Sequence, residues 1–134
     1  MREKATVLNE SDMDRIVKRI AHEIIERNKG SDNLVFLGIQ KKGVPLAERI
    51  KNHIETLENI KLNSGKLDIS FYRDDIDKKI KTDFNITDIP FEIQDKDIIL
   101  VDDVLFTGRT IRAALDAIID FGRPKSIQLV VLID

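Results

Sequence analysis

Hydrophobic and polar positions along the chain switch repeatedly between a helical and an extended rhythm. From Ser11 or Asp12, either of which can cap a helix, apolar Ile16, Ile20 and Ile24 recur at helical spacing to about Asn28, and Gly30 is the natural stop. Leu34 to Leu37 is a short apolar run of the kind that forms a buried strand. Val44 to about Leu57 returns to the helical period, and Lys66 to Tyr72 alternates like a strand. Ile98-Ile99-Leu100-Val101 has no polar interruption and is rich in β-branched residues, which suits a parallel strand covered on both faces. A helix from Gly108 to about Phe121 carries Ile111, Ala114, Leu115, Ile118 and Ile119. A last strand, Ile127 to Ile133, follows Gly122 and Pro124. Strands alternating with helices in this way predict parallel β-α-β units, an α/β fold with a twisted parallel sheet flanked by helices.

The chemistry gathers where such strands end. Asp102 and Asp103 fall at the carboxyl end of the uninterrupted strand, where open α/β sheets bind ligands. Thr107-Gly108-Arg109-Thr110 then opens a helix, whose first backbone N–H groups have no partner within the helix and suit an anion. Ionised carboxylates only accept hydrogen bonds, so the aspartates match the hydroxyls of a ribose and would repel a phosphate laid directly on them. The phosphate belongs one step further along, where threonine hydroxyls add donors, Gly108 lets the backbone approach, and the helix terminus favours negative charge by roughly 0.3–1 kcal/mol. Asp-Asp before a loop, or Thr-Gly at a helix start, is individually compatible with a plain turn or cap. Their combination points to a phosphorylated sugar. Neither a G-x-x-x-x-G-K-[ST] phosphate loop nor a G-x-G-x-x-G dinucleotide fingerprint is present.

Two more loops bear on the same site. Gly38-Ile39-Gln40-Lys41-Lys42-Gly43 also joins a buried strand to a helix, so it reaches the same sheet edge. Its terminal glycines permit a tight turn, and Lys41 and Lys42 supply charge for a second anionic group. A solvated turn would carry the same residues. Tyr72-Arg73-Asp74-Asp75 begins a polar stretch through about Asp88 with Lys78, Lys79 and Lys81. Such a stretch suits a lid that excludes water from a reactive sugar, or an exposed hairpin.

Composition sets outer limits. The 134 residues are 42% hydrophobic and 34% charged, enough for one domain with its own core. Without cysteine there is no disulfide and no thiolate zinc site, which fits a reducing cytoplasm. Met1-Arg2-Glu3-Lys4 leads into no long apolar segment, and no run approaches the roughly 18 residues that cross a bilayer, so no membrane association is expected. Twenty-two basic against 24 acidic residues give a net charge of −2, which excludes bulk electrostatic attraction to nucleic acid. A local basic face remains: Arg15, Lys18, Arg19, His22 and Arg27 lie on or beside the polar side of the first helix, interrupted by Glu23 and Glu26. His22 is remote in sequence from the sugar-phosphate loop, which favours a surface or RNA contact over acid-base work, and His53 reads as ordinary surface.

Residues 101–110, VDDVLFTGRT, resemble the signature of the type I phosphoribosyltransferases: an apolar strand, two acidic residues, a spacer and T-G-[RK]-[ST]. More narrowly, VDDVLFTGRTIRAALDAIIDFGRPKSIQLVVLID, with RIAHEIIERNKG from Arg19 and DISFYRDD from Asp68, resembles the PyrR family of pyrimidine-operon attenuation regulators that are also uracil phosphoribosyltransferases. The similarity runs along essentially the whole chain.

The resemblance implies a reaction of uracil with 5-phosphoribosyl-1-diphosphate (PRPP), giving UMP and diphosphate, with Mg²⁺ on the donor. It implies that Asp102 and Asp103 serve as the catalytic carboxylates, holding the ribose hydroxyls directly or through the metal's waters. Thr107, Gly108, Arg109 and Thr110 would cradle the 5-phosphate. Gly38, Lys41, Lys42 and Gly43 would take the diphosphate, and the lid would start at Tyr72, Arg73 and Asp74. It also implies a homo-oligomer, dimer or higher. The alternative function is a non-catalytic sensor in which UMP or UTP tightens binding to the RNA leader of a pyrimidine operon, through Lys18, Arg19, His22 and Arg27. This sequence departs from the wider family in three ways. Phe106 stands where purine-using relatives commonly place an aspartate, and Lys42 stands where an arginine is frequent, losing the bidentate fork but keeping charge. The sequence stops at Leu132-Ile133-Asp134, where relatives continue into a segment that helps form a hood over the base. The expectation is therefore one phosphoribosyltransferase-type domain over 1–134 without that C-terminal segment, a catalytically incomplete fragment being the remaining alternative.

Overall fold

The computed structural model describes residues 10–40, 42–69, 87–102 and 108–131. In chain order the elements are α1 (Glu10–Asn28), β1 (Leu34–Ile39), α2 (Gly43–Glu58), β2 (Asn63–Leu67), β3 (Asp97–Asp102), α3 (Gly108–Ile119) and β4 (Ser126–Val131). The strands form one parallel sheet in the order β2-β1-β3-β4.

Sheet order and side-chain alternation together decide which helix covers which face. On one face Leu34 and Phe36 of β1 and Ile99 and Val101 of β3 pack against Val17, Ala21 and Ile24 of α1 and Leu46, Ala47, Ile50 and Ile54 of α2. On the other face Val35, Leu37 and Ile39, with Ile98 and Leu100, meet Ala113, Ala114, Ala117 and Ile118 of α3. Every residue of β1 is buried, and β3 is buried from Ile98 onward, as the unbroken apolar runs predict for strands covered twice. The buried side of α3 is lined mostly by alanines, Ala113, Ala114 and Ala117, with Ile118.

The chain leaves β1 for α2 on one face and leaves β3 for α3 on the other. The gap between the carboxyl ends of β1 and β3 is thus the topological switch point, where open α/β sheets bind ligands.

Four details differ from the sequence reading. The strand expected from Lys66 to Tyr72 is β2, Asn63–Leu67, so it begins earlier; residues 70–72 lie outside those described. Its Lys66 pairs in antiparallel fashion with Asp88, so the chain returning toward β3 covers that edge. In α1 the buried residues are Val17, Ala21 and Ile24, whereas Ile16 and Ile20 are half-buried because they line a cleft beside β4, Ile20 packing against the core from its margin. The left-handed turn that ends α1 begins at Lys29 (φ 56°), one residue before Gly30 (φ 125°). Its closing bond runs from the Gly30 N–H to the Ile25 carbonyl at 2.9 Å.

Candidate functional site at the switch point

Parallel pairing of β1 with β3, in register Gly38↔Val101, brings the ends of the two predicted binding loops side by side. The contact between them is unusually close. A Cβ built on Gly43, the first residue of α2, would lie 2.1 Å from the Val101 carbonyl oxygen and 3.1 Å from the Asp102 Cα. A Cβ on Gly38 would meet the Val44 Cα at 2.5 Å and the Gly43 oxygen at 2.7 Å. Real Cβ atoms do not approach backbone this closely, so glycine is required at both positions. The loop from Gly38 to Gly43 is therefore folded tightly on itself, with the start of α2 resting on the end of β3.

Asp102 closes β3 and is 7% exposed, one of two buried polar side chains among the described residues, with Ser31. Its neighbour in the ladder is Val131 of β4, one step past the last β1–β3 pair, Gly38 with Val101. Lys42 is exposed and is the N-cap of α2; its backbone is itself helical (φ −77°, ψ −25°) and its side chain makes no capping bond. Gly108 begins α3, with Arg109 and Thr110 in its first turn, so this helix also starts just past the end of β3. Asp103, Thr107, Lys41, Tyr72, Arg73, Asp74 and Phe106 lie outside the described residues. The structure thus brings Gly38, Lys42, Gly43, Asp102 and the start of α3 to one sheet edge.

The basic candidates form a second region. Lys18, Arg19, His22 and Arg27 are all exposed on α1. Arg19 and Arg27 flank a cleft of about 490 Å³ between α1 and the sheet, floored by Ile16, Ile20, Ile24 and Val130 and shared with Glu23 and Gln128. Arg19 lies 4.0 Å from Glu23, both about two-thirds exposed, a pairing of little energetic weight. His22 meets His53 of α2 edge-to-face, with ring centroids 6.3 Å apart at 73°. The sequence reading of His53 as ordinary surface missed this pairing: His53 is half-buried, and nothing in the local pattern of α2 announces a partner on α1.

Comparison with known proteins agrees with this geometry. The family model for the phosphoribosyl transferase domain matches residues 5–134. A hypoxanthine-guanine phosphoribosyltransferase from Bacillus anthracis superposes with a TM-score of 0.69 at 21% identity, over 96% of this chain and 71% of that one. A purine phosphoribosyltransferase from Pyrococcus horikoshii gives 0.65 at 20% identity, over 93% and 74%. At such identity the structures establish the fold. The chain is a member of the phosphoribosyltransferase family, and its parallel sheet is the fold of those structures. Sequence narrows this further. Bifunctional protein PyrR of Clostridioides difficile is 54% identical over 135 residues, covering 100% of this chain and 76% of the relative. That of Bacillus subtilis is 50% identical over 137 residues, again covering 100% and 76%. The chain belongs to the PyrR family.

Proposed function

We propose that this chain makes UMP from uracil and PRPP at the switch point between β1 and β3, and regulates pyrimidine genes through RNA. The observation that supports the enzymatic half is the seating of Gly43 on Val101 and Asp102, which sets the start of α2 against the end of the strand that leads to the TGRT segment. PRPP is a ligand suited to a site between them: a ribose flanked by a 5-phosphate and a 1-diphosphate.

Each group then has one task. Asp102 and Asp103 accept hydrogen bonds from the ribose hydroxyls. The backbone N–H groups and side chains of Thr107, Gly108, Arg109 and Thr110 hold the 5-phosphate at the start of α3. Gly38, Lys41, Lys42 and Gly43 hold the diphosphate, lysine acting as a point charge rather than a fork. In the reaction a bond forms between uracil nitrogen and ribose C1 while the C1–oxygen bond to diphosphate breaks; the nitrogen proton leaves to solvent. The transition state resembles an oxocarbenium ion, which nearby carboxylates and the departing diphosphate stabilise electrostatically. Segment Tyr72-Arg73-Asp74 and the residues after it act as the lid that excludes water.

Mg²⁺ fits this site as a companion of the substrate. Among the described residues no three His, Cys, Asp or Glu side chains converge, while a buried carboxylate stands at the strand end. That suits an ion bound by one or two carboxylates, water and substrate oxygens rather than by a protein cage. The ion supplies positive charge to the donor. Among the described residues no helix is long and apolar enough to cross a membrane. The likeness to PyrR proteins supports a cytoplasmic homo-oligomer as part of this proposal.

Purified chain incubated with Mg²⁺, uracil and PRPP is expected to form UMP at enzymatic rates, followed by chromatography. Its absence, with PRPP binding retained, would leave the second reading, an attenuator whose site only senses UMP or UTP. That reading is favoured by Arg19 and Arg27 flanking an apolar-floored cleft beside exposed Lys18 and His22. For the RNA role, Lys18→Ala with Arg19→Ala is expected to leave UMP binding intact. Affinity for the leader RNA should fall, and the slope of log affinity against log salt should drop by about 1.4 to 1.8 for two lost phosphate contacts. Unchanged RNA affinity would relegate the patch to solvent.

A further inference from the structure

Gly43 sits in the loop assigned to the diphosphate, yet its tightest contact is with protein, not with space where a ligand could lie. We infer that Gly43 is a positioning residue that sets the distance between the diphosphate loop and the ribose carboxylates, and thereby how strongly the site prefers the diphosphate-bearing donor over the nucleoside monophosphate product. This inference rests on the function proposed above.

The argument follows from which side of the contact can yield. The Val101 oxygen belongs to a strand paired on both sides, with Gly38 in β1 and Val130 in β4, so β3 is held in place. The body of α2 is pinned to the sheet by Leu46, Ala47, Ile50 and Ile54, each 6% exposed or less. A methyl group at position 43, 2.1 Å from that oxygen, therefore displaces what lies between those fixed parts: the first turn of α2 and the loop back to Gly38. Gly38 transmits the shift, because it faces the backbone of Gly43 and Val44 so closely that a Cβ there would meet the Gly43 oxygen at 2.7 Å and the Val44 Cα at 2.5 Å. Asp102 and the start of α3 sit on β3 and the opposite face, so they stay where they are. PRPP needs both halves of the site, whereas UMP needs only the half built on β3 and α3.

Titration calorimetry with Mg²⁺-PRPP and, separately, with UMP tests this on wild type, Gly43→Ala and Leu46→Ala. Leu46→Ala loosens α2 without touching the contact. For Gly43→Ala, PRPP affinity is expected to fall roughly tenfold or more while UMP affinity stays within about twofold, since an ångström of misplacement is costly in such sites. Leu46→Ala is expected to leave the ratio of the two affinities at its wild-type value. Equal losses of PRPP and UMP in Gly43→Ala, or an unchanged ratio, overturn the inference. If Gly43→Ala fails to fold by circular dichroism, Gly38→Ala carries the same readout. Failure of both to fold also overturns it, because the contact then serves the fold alone. Wild type that binds neither ligand overturns the function itself, whereas wild-type binding with parallel losses removes only the role of Gly43.

Discussion

The two edges of the sheet are joined by different means. At the amino edge polar side chains reinforce backbone bonds such as that from the Asp97 N–H to the Asn33 carbonyl at 3.0 Å. Asp97, at the start of β3, accepts from Ser126 Oγ at 2.7 Å and Asn33 Nδ2 at 3.2 Å. Asn28 at the end of α1 and Gln128 of β4 exchange amide hydrogen bonds at 2.8 and 3.1 Å. Glu55, near the end of α2, accepts from the Leu62 N–H at 2.8 Å just before β2 begins. At the carboxyl edge the joint between β1, α2 and β3 is made by Gly38 and Gly43, backbone against backbone. Side-chain hydrogen bonds consume polar groups to hold elements together. Glycine contacts hold them at shorter range and put backbone, rather than bulky side chains, beside the proposed ligand site. Under the proposed function the amino edge serves stability and the carboxyl edge chemistry.

That contrast can be broken first at its strongest point. Asp102→Asn with Asp103→Asn keeps nearly the same volume, so the fold is expected to persist by circular dichroism while PRPP binding and UMP synthesis are lost. Retained binding would refute the ribose assignment. A smaller and opposite effect is expected at the amino edge. Asp97→Ala removes the acceptor of Ser126 Oγ and one of the two acceptors of Asn33 Nδ2, which keeps the Asp95 carbonyl, and at these half-buried positions should cost about 0.5–1.5 kcal/mol in urea unfolding, with donor affinity unchanged. Weakened PRPP binding in that variant would dissolve the distinction between the edges.

The subtlest difference is one of pH. The hydrogen bond from Leu62, helped by Lys51 at 3.4 Å and by Lys61, outweighs burial and holds the Glu55 carboxyl below its ordinary value of 4.5. A carboxyl whose folded pKa is depressed contributes stability above its unfolded pKa and loses that contribution as pH falls through the folded value. Acid unfolding below about pH 4.5 should therefore flatten in Glu55→Gln relative to wild type, while the two remain parallel near neutrality. Identical acid limbs would show that the Leu62 bond does not discriminate the charged carboxylate.

Much of the fold is legible in the sequence because its signals are local. The apolar run at Ile98–Val101 names a strand buried on both faces, and the helical period of Ile111, Ala114 and Ile118 names α3. The displacement of β2 to Asn63–Leu67 was not legible, since NSGKL has neither an apolar run nor β-branched enrichment; register against β1 makes it a strand. At the site, VDDVLFTGRT pointed to a sugar phosphate through residue types that few other loops combine, and residues 103–107 of it lie outside those described. The glycines of the second loop were visible as turn residues, but not the reason they are needed.

The sequence by itself determined the kinds of element, the family, and which residues carry carboxylate, hydroxyl and ammonium groups, because each follows from side-chain chemistry and short-range period. Only the tertiary structure decided the partners. It placed β1 beside β3, set Gly43 on the Val101 carbonyl, paired His22 with His53 and turned Ile16 and Ile20 toward the β4 cleft. Those contacts join residues about 30 to 115 positions apart, brought together by burial of two apolar faces on one sheet, and no local pattern records which distant residue will arrive.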